Sequence, residues 1–193
     1  MKRMRATGSR IYQLKVTLRD IRPPIWRRFA VPSDIPLKRL HEALQLIMGW
    51  TDSHLHQFEA RGGRYGPPDR DLERTNEATT TLDRVLRKPK DRMTYEYDFG
   101  DGWMHDVELE KVLPPSSEGL FPIMLAGKRA CPPEDVGGAP AYARFLAIMA
   151  NPKHPEHRDM LDWADGPFDP EAYDVGQANL DLHGGWARRA PDA

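Results

Sequence analysis

A single cysteine, Cys131, stands among 193 residues. One thiol excludes an internal disulfide framework and any multi-cysteine zinc site, and it suits a reducing, cytoplasmic setting. Long apolar runs are missing too. The longest, Phe145 to Ala150, has six residues, far below the ~18 that cross a bilayer, so no membrane partner is expected. The opening MKRMR is basic, but no apolar stretch follows it, and no secretory leader is expected. An excess of either charge is also absent: 28 basic against 29 acidic side chains leave a net charge of −1. A duplex-binding surface normally shows as a basic excess, so composition gives no support to nucleic acid as a partner and leaves a protein partner open. There is no GxxxxGK(S/T), no strand–GxGxxG–helix unit and no GxSxG elbow. Nucleotide-dependent phosphoryl transfer, Rossmann cofactors and elbow-type serine chemistry are thereby disfavoured. What the chain has in quantity is turn-forming residues, 15 glycines and 18 prolines.

No repeat or low-complexity linker divides the chain, and 22.1 kDa suits one generous domain. We expect that domain over residues 10–183, with flexible tails at 1–9 and 184–193. Tyr12, Leu14, Val16 and Leu18 alternate with polar residues as a half-buried strand does. Arg22-Pro23-Pro24 turns the chain, and Ile25 to Val31 resumes the pattern, predicting an antiparallel pair. Pro36 suits the start of a helix. Leu37, Leu40, Leu44 and Ile47 fall on one helical face, and Gly49 supplies the stop. TDSHLHQFEA reads as a strand, Asp69 to Thr80 as a surface loop, and Thr81 to Leu86 as a short helical turn. Met93, Tyr95, Tyr97 and Phe99 share a face before Gly100-Asp101-Gly102, and Trp103, Val107 and Leu109 follow: a hairpin. Beyond Pro114-Pro115 three helices are expected, the last capped by Asp169-Pro170 and ending near Leu182. The fold class is therefore α+β: a mainly antiparallel sheet, one early amphipathic helix and a C-terminal helical segment.

Three polar clusters are candidates for chemistry. On a strand, His54 and His56 point to one face and can converge on one metal ion. Asp98, Asp101 and His105 surround the FGDGW turn. Cys131, Glu134 and Asp135 lie on a proline-stiffened loop before Gly137-Gly138. Each has a plainer reading: hydrogen-bonded histidines, a turn aspartate, an inert buried thiol, a helix cap. If strand pairing makes neighbours of the first two clusters, His54, His56, Asp98 and His105 form a mixed nitrogen and oxygen ligand set. Such a set suits zinc, manganese or iron. A helix-turn-helix over RLHEALQLIMGWTDSHLHQF is disfavoured by its spacing and by Trp50 directly after Gly49.

The run of segments IYQLKVTLRDIRPPIWRRFAVP, LHEALQLIMGW, SHLHQFE, YEYDFGDGWMHDVELE, GKRACPPEDVGG and AYARFLAIMANPKHPEHRDMLDWADGPFDPEAYD resembles the plasmid pRiA4b ORF-3-like family over nearly the whole chain. The resemblance implies an α+β domain of uncharacterised activity, found on plasmids and beside insertion elements, with some members named resolvase. It implies recurrent polar positions at His54, His56, Asp98, Asp101, His105, Cys131, Glu134 and Asp135, with Trp50 and Trp103 nearby. Val136 stands where the family often has a cysteine. No serine or tyrosine sits in a recognisable recombinase arrangement, which leaves a DNA recombination role the least supported.

Two functional readings remain open from the residues. One is a cytoplasmic binding or accessory module, associated with mobile DNA, whose ligand site gathers these residues with Trp50 and Trp103 as an apolar wall. The other is a metal-dependent hydrolase, with a phosphodiester as the candidate substrate, that uses the same side chains. No catalytic residue is assigned, and whether the chain is an enzyme is left undecided.

Overall fold

The computed structural model describes residues 8–69, 73–116 and 120–188. Eight strands form one sheet: β1 (Ile11–Leu18), β2 (Trp26–Pro32), β3 (His56–Ala60), β4 (Gly63–Gly66), β5 (Thr75–Asn76), β6 (Arg92–Tyr97), β7 (Trp103–Leu113) and β8 (Ile123–Lys128). The helices are α1 (Leu37–Met48), α2 (Leu82–Val85), α3 (Gly138–Met149), α4 (His157–Trp163) and α5 (Val175–Arg188). The strand order is β5-β4-β3-β6-β7-β1-β2-β8, antiparallel throughout except for the β4–β5 pair. The fold is α+β with a mainly antiparallel sheet.

Local pattern explains the central elements. The alternation in β1 buries Leu14, Val16 and Leu18, and pairs them against β2 on one side and β7 on the other. The stripe of Leu37, Leu40, Leu44 and Ile47 along α1 closes over the same core, and Gly49 ends the helix in the left-handed conformation with its N–H on Gln45 O. In the β6–β7 hairpin Met93, Tyr95 and Tyr97 are buried, but Asp98 turns to positive φ (56°), so Phe99 leaves the shared face and is exposed. Charges pair between strands: Arg28 on β2 with Glu110 on β7, Arg92 on β6 with Glu108 on β7, and Arg19, just past β1, with Asp106 on β7.

Four expectations differ from what is seen. The strand expected across TDSHLHQFEA begins only at His56, because Asp52 has positive φ (65°) and the chain is still turning through residue 54. The expected surface loop 69–80 contributes β5 and carries a buried side chain, Glu77; residues 70–72 of it lie outside the described residues. Ile123–Lys128, to which the sequence pattern assigns no element, is the edge strand β8, with both backbone groups of Met124 bonded by the Asn179 side chain. Asp169 makes a local turn, Oδ1 accepting from Glu171 N, and the last helix is capped five residues on by Asp174, whose Oδ1 accepts from Gln177 N. Of the tails expected at 1–9 and 184–193, residues 1–7 and 189–193 lie outside the described residues, while 184–188 continue α5. Among the described residues no helix is long and apolar enough to cross a membrane.

Candidate functional site

Three segments distant in sequence meet at one end of the sheet: residues 50–54 after α1, the turn 98–102 between β6 and β7, and the loop 131–138 before α3. The turn is built by Asp98. Its Oδ1 accepts from the backbone N–H groups of Gly100 (2.9 Å) and Asp101 (3.3 Å), leaving Oδ2 to face His54. Asp101 Oδ2 accepts from Gly137 N at 2.9 Å, and a Cβ on Gly138 would come within 2.5 Å of Asp101 O. The two glycines therefore let the loop lie directly on the turn, both at positive φ.

Glu134 ties down the middle of the loop. Its Oε1 accepts from Tyr97 OH (2.6 Å) and its Oε2 from Thr51 N (2.9 Å) and Thr51 Oγ1 (2.6 Å). Burial and the neighbouring Glu134 carboxylate push the Tyr97 hydroxyl well above its ordinary range, so it stays a donor. Trp50 stacks on Tyr97 and donates from Nε1 to Pro132 O at 3.0 Å. Trp103 lies one layer deeper, 6.0 Å from Trp50 between ring centres.

This scaffold delivers His54, Asp98 and Asp135 to one point. His54 Nε2 lies 2.9 Å from Asp135 Oδ1 and 3.8 Å from Asp98 Oδ2. The three donor atoms lie within 4.8 Å of one another. Nε2 is shut off from solvent and has no aligned hydrogen-bond partner, so the close Asp135 oxygen sits off the direction in which a ring N–H donates. Tetrahedral donors around one transition-metal ion, each ~2.0–2.2 Å from it, are separated from each other by roughly 3.4 Å. The distances from Nε2, 2.9 and 3.8 Å, bracket that separation, so small side-chain adjustments bring one nitrogen and two carboxylate oxygens around such an ion.

The other candidates go elsewhere. His56 enters a second cluster, stacked parallel on His41 with ring centres 3.4 Å apart, and its Nε2 meets Glu77 Oε2 at 2.8 Å. His41 belongs to a closed ring of bonds. Gln45 Nε2 donates to Tyr95 OH (2.9 Å), Tyr95 OH meets His41 Nδ1 (2.8 Å), His41 Nε2 meets Asp52 Oδ1 (2.7 Å), and Asp52 N donates to Gln45 Oε1 (3.1 Å). Donor and acceptor roles run consistently around it when His41 is neutral and protonated on Nε2. Burial lowers the His41 pKa in agreement. His105 is wholly buried beneath Trp50, its Nδ1 bonded to Tyr95 O at 3.2 Å, and burial drives its pKa down to about 4. Cys131 accepts from Arg27 at 3.3 Å, and burial raises its thiol pKa.

His41, Asp52 and Glu77 were not singled out by sequence. His41 has one legible signal, a histidine between Leu40 and Leu44 on the apolar face of a helix. Asp52 and Glu77 have none, since each stands in a polar stretch.

The comparisons with known proteins agree with one another. The model of the plasmid pRiA4b ORF-3-like protein family matches residues 10–177. An uncharacterized protein of Sinorhizobium fredii, y4hQ, is 39% identical over 192 residues, which covers 93% of this chain and 96% of that one. The crystal structure of MM3350, a protein of unknown function from Methanosarcina mazei Go1, superposes with a TM-score of 0.81 at 37% identity, covering 89% of this chain and 98% of that one.

Proposed function

This chain belongs to the plasmid pRiA4b ORF-3-like family, and on that footing we propose that it is a cytoplasmic binding module whose ligand is a divalent transition-metal ion held by His54, Asp98 and Asp135. The observation that carries the reading is the state of His54 Nε2, enclosed, beside two carboxylates, and aligned with neither. A metal ion supplies the missing partner and offsets the two negative charges. Mixed nitrogen and oxygen donors favour zinc, manganese or iron(II) over calcium, which takes oxygen alone. Asp101, Glu134, Trp50 and Tyr97 hold the three segments together around the ion. An accessory role beside mobile DNA is suggested only by the family's plasmid name.

Purified protein stripped by chelator and titrated with zinc and manganese is expected to take up close to one ion per chain. His54→Ala is expected to weaken uptake by ~100-fold or more, as loss of one of three donors should. Stripped wild-type protein that takes up no ion, or a His54→Ala variant that binds as wild type does, contradicts the proposal.

Hydrolysis is a second reading, favoured by the exposure of Asp135, whose side chain is 68% accessible. Three protein donors with an open side leave room for a bound water, which such an ion makes a nucleophile near neutral pH. Metal-loaded protein that cleaves bis(p-nitrophenyl) phosphate, with loss in His54→Ala, supports it. Metal uptake without cleavage leaves binding alone.

A further inference from the structure

The second cluster opens on a separate cleft of about 420 Å³ between α1 and the β4–β5 segment. Asp52, His56 and Glu77 line its polar side, and Pro67, Pro68 and Ala78 its apolar side. Glu77 is only 3% exposed, yet among the described residues no lysine or arginine reaches its carboxylate. His56 Nε2 bonds Oε2, and among the described residues no donor reaches Oε1, which is not sealed from the cleft. Lys38, exposed at the rim, forms no ion pair with it. A largely buried carboxylate with one oxygen turned to a cleft is well placed to accept from a cationic donor that enters it.

A metal ion fits poorly here. His41 Nε2 is committed as a donor to Asp52 within a closed bond ring, and Tyr95 holds its Nδ1. The two imidazoles are parallel to within 6°, so their in-plane lone pairs run side by side and do not converge on one point. An organic cation has no such difficulty. Its N–H groups donate to Glu77 Oε1 with every existing bond kept, and an alkyl stem lies against Pro67, Pro68 and Ala78. We propose that this cleft is a second binding site, independent of the His54 centre, for an alkylammonium or alkylguanidinium group.

The test is titration of the full chain with n-butylammonium and n-butylguanidinium, read from the imidazole NMR signals of His41 and His56, with n-butanol as the uncharged control. Saturable shifts are expected with the cations and none with the alcohol. Glu77→Gln keeps the shape, removes the charge, and is expected to weaken binding by ~tenfold or more. Ala78→Leu, at an exposed wall position, narrows the cleft without touching the core and is expected to weaken binding as well. His54→Ala is expected to leave it unchanged. Acetyl-lysine amide and acetyl-arginine amide separate the sources. Tighter binding than the simple amines marks a partner protein's side chain, and weaker binding marks a small free cation. Absence of saturable shifts with every cation, equal response to n-butanol, or unchanged binding by both folded variants overturns the proposal.

Discussion

His105 shows how a residue type can point to chemistry while its surroundings decide otherwise. Its ring is wholly buried and neutral, with a pKa near 4. The unfolded chain, with the ordinary value near ~6.5, binds the proton more readily. Stability from this group is therefore complete above about pH 6.5 and is lost as pH falls toward 4, by up to about 3 kcal/mol. Urea denaturation between pH 7 and 4 is expected to show that loss. His105→Asn, which retains a donor for Tyr95 O, is expected to be less stable at pH 7 but to lack this part of the pH dependence. An unchanged slope in the variant would assign the acid sensitivity to other groups, His41 first. At this scale the sequence was only partly informative. His54 and Asp98 were legible from their neighbours in the FGDGW and SHLH motifs. The separation of His54 from His56 was not, since it depends on where a strand begins, and a two-residue periodicity does not report its own first residue.

The loop 131–138 is the element on which the candidate centre depends, because it brings Asp135 to His54 and closes on the turn through Asp101. Its double glycine was legible as a turn, but its docking on another turn 36 residues away in sequence was not. Gly138 lies at φ 76° with Asp101 O where a Cβ would go, whereas Gly62, also at φ 76°, faces open space. Gly138→Ala is thus expected to cost about 2 kcal/mol or more, and Gly62→Ala about 1 kcal/mol, the conformational part alone. Thermal melts compare the two directly. A further expectation separates docking from general stability: Gly138→Ala weakens metal uptake even when folded, and Gly62→Ala does not. Strands and helices carrying a continuous apolar pattern, β1, β2, α1 and the β6–β7 hairpin, were readable because burial on one face dictates their period. The strand β8 and the start of α5 were hidden for the opposite reason. Side-chain bonds from Asn179 and Asp174 fix them, and neither leaves a periodic trace.

Across the whole molecule, Arg28–Glu110, Arg19–Asp106 and Arg92–Glu108 pair at the sheet, while Asp98 and Asp135 at the His54 centre and Glu77 in the cleft face imidazoles and, among the described residues, no lysine or arginine. A ligand that binds only the folded state stabilises it by RT ln(1 + [L]/Kd), about 2.7 kcal/mol at a hundredfold excess over Kd. Zinc or manganese at that excess is expected to raise the melting temperature of the wild-type protein and to raise that of His54→Ala far less, since a ~100-fold weaker Kd leaves only about 0.4 kcal/mol. Equal shifts in both would place the ion elsewhere. The most direct measurement is anomalous diffraction from crystals of the metal-loaded protein, collected on either side of the metal's absorption edge. One dominant peak is expected within ~2.2 Å of His54 Nε2, Asp98 Oδ2 and Asp135 Oδ1. A peak at His41 and His56, or none at the turn where the three segments meet, would contradict that placement.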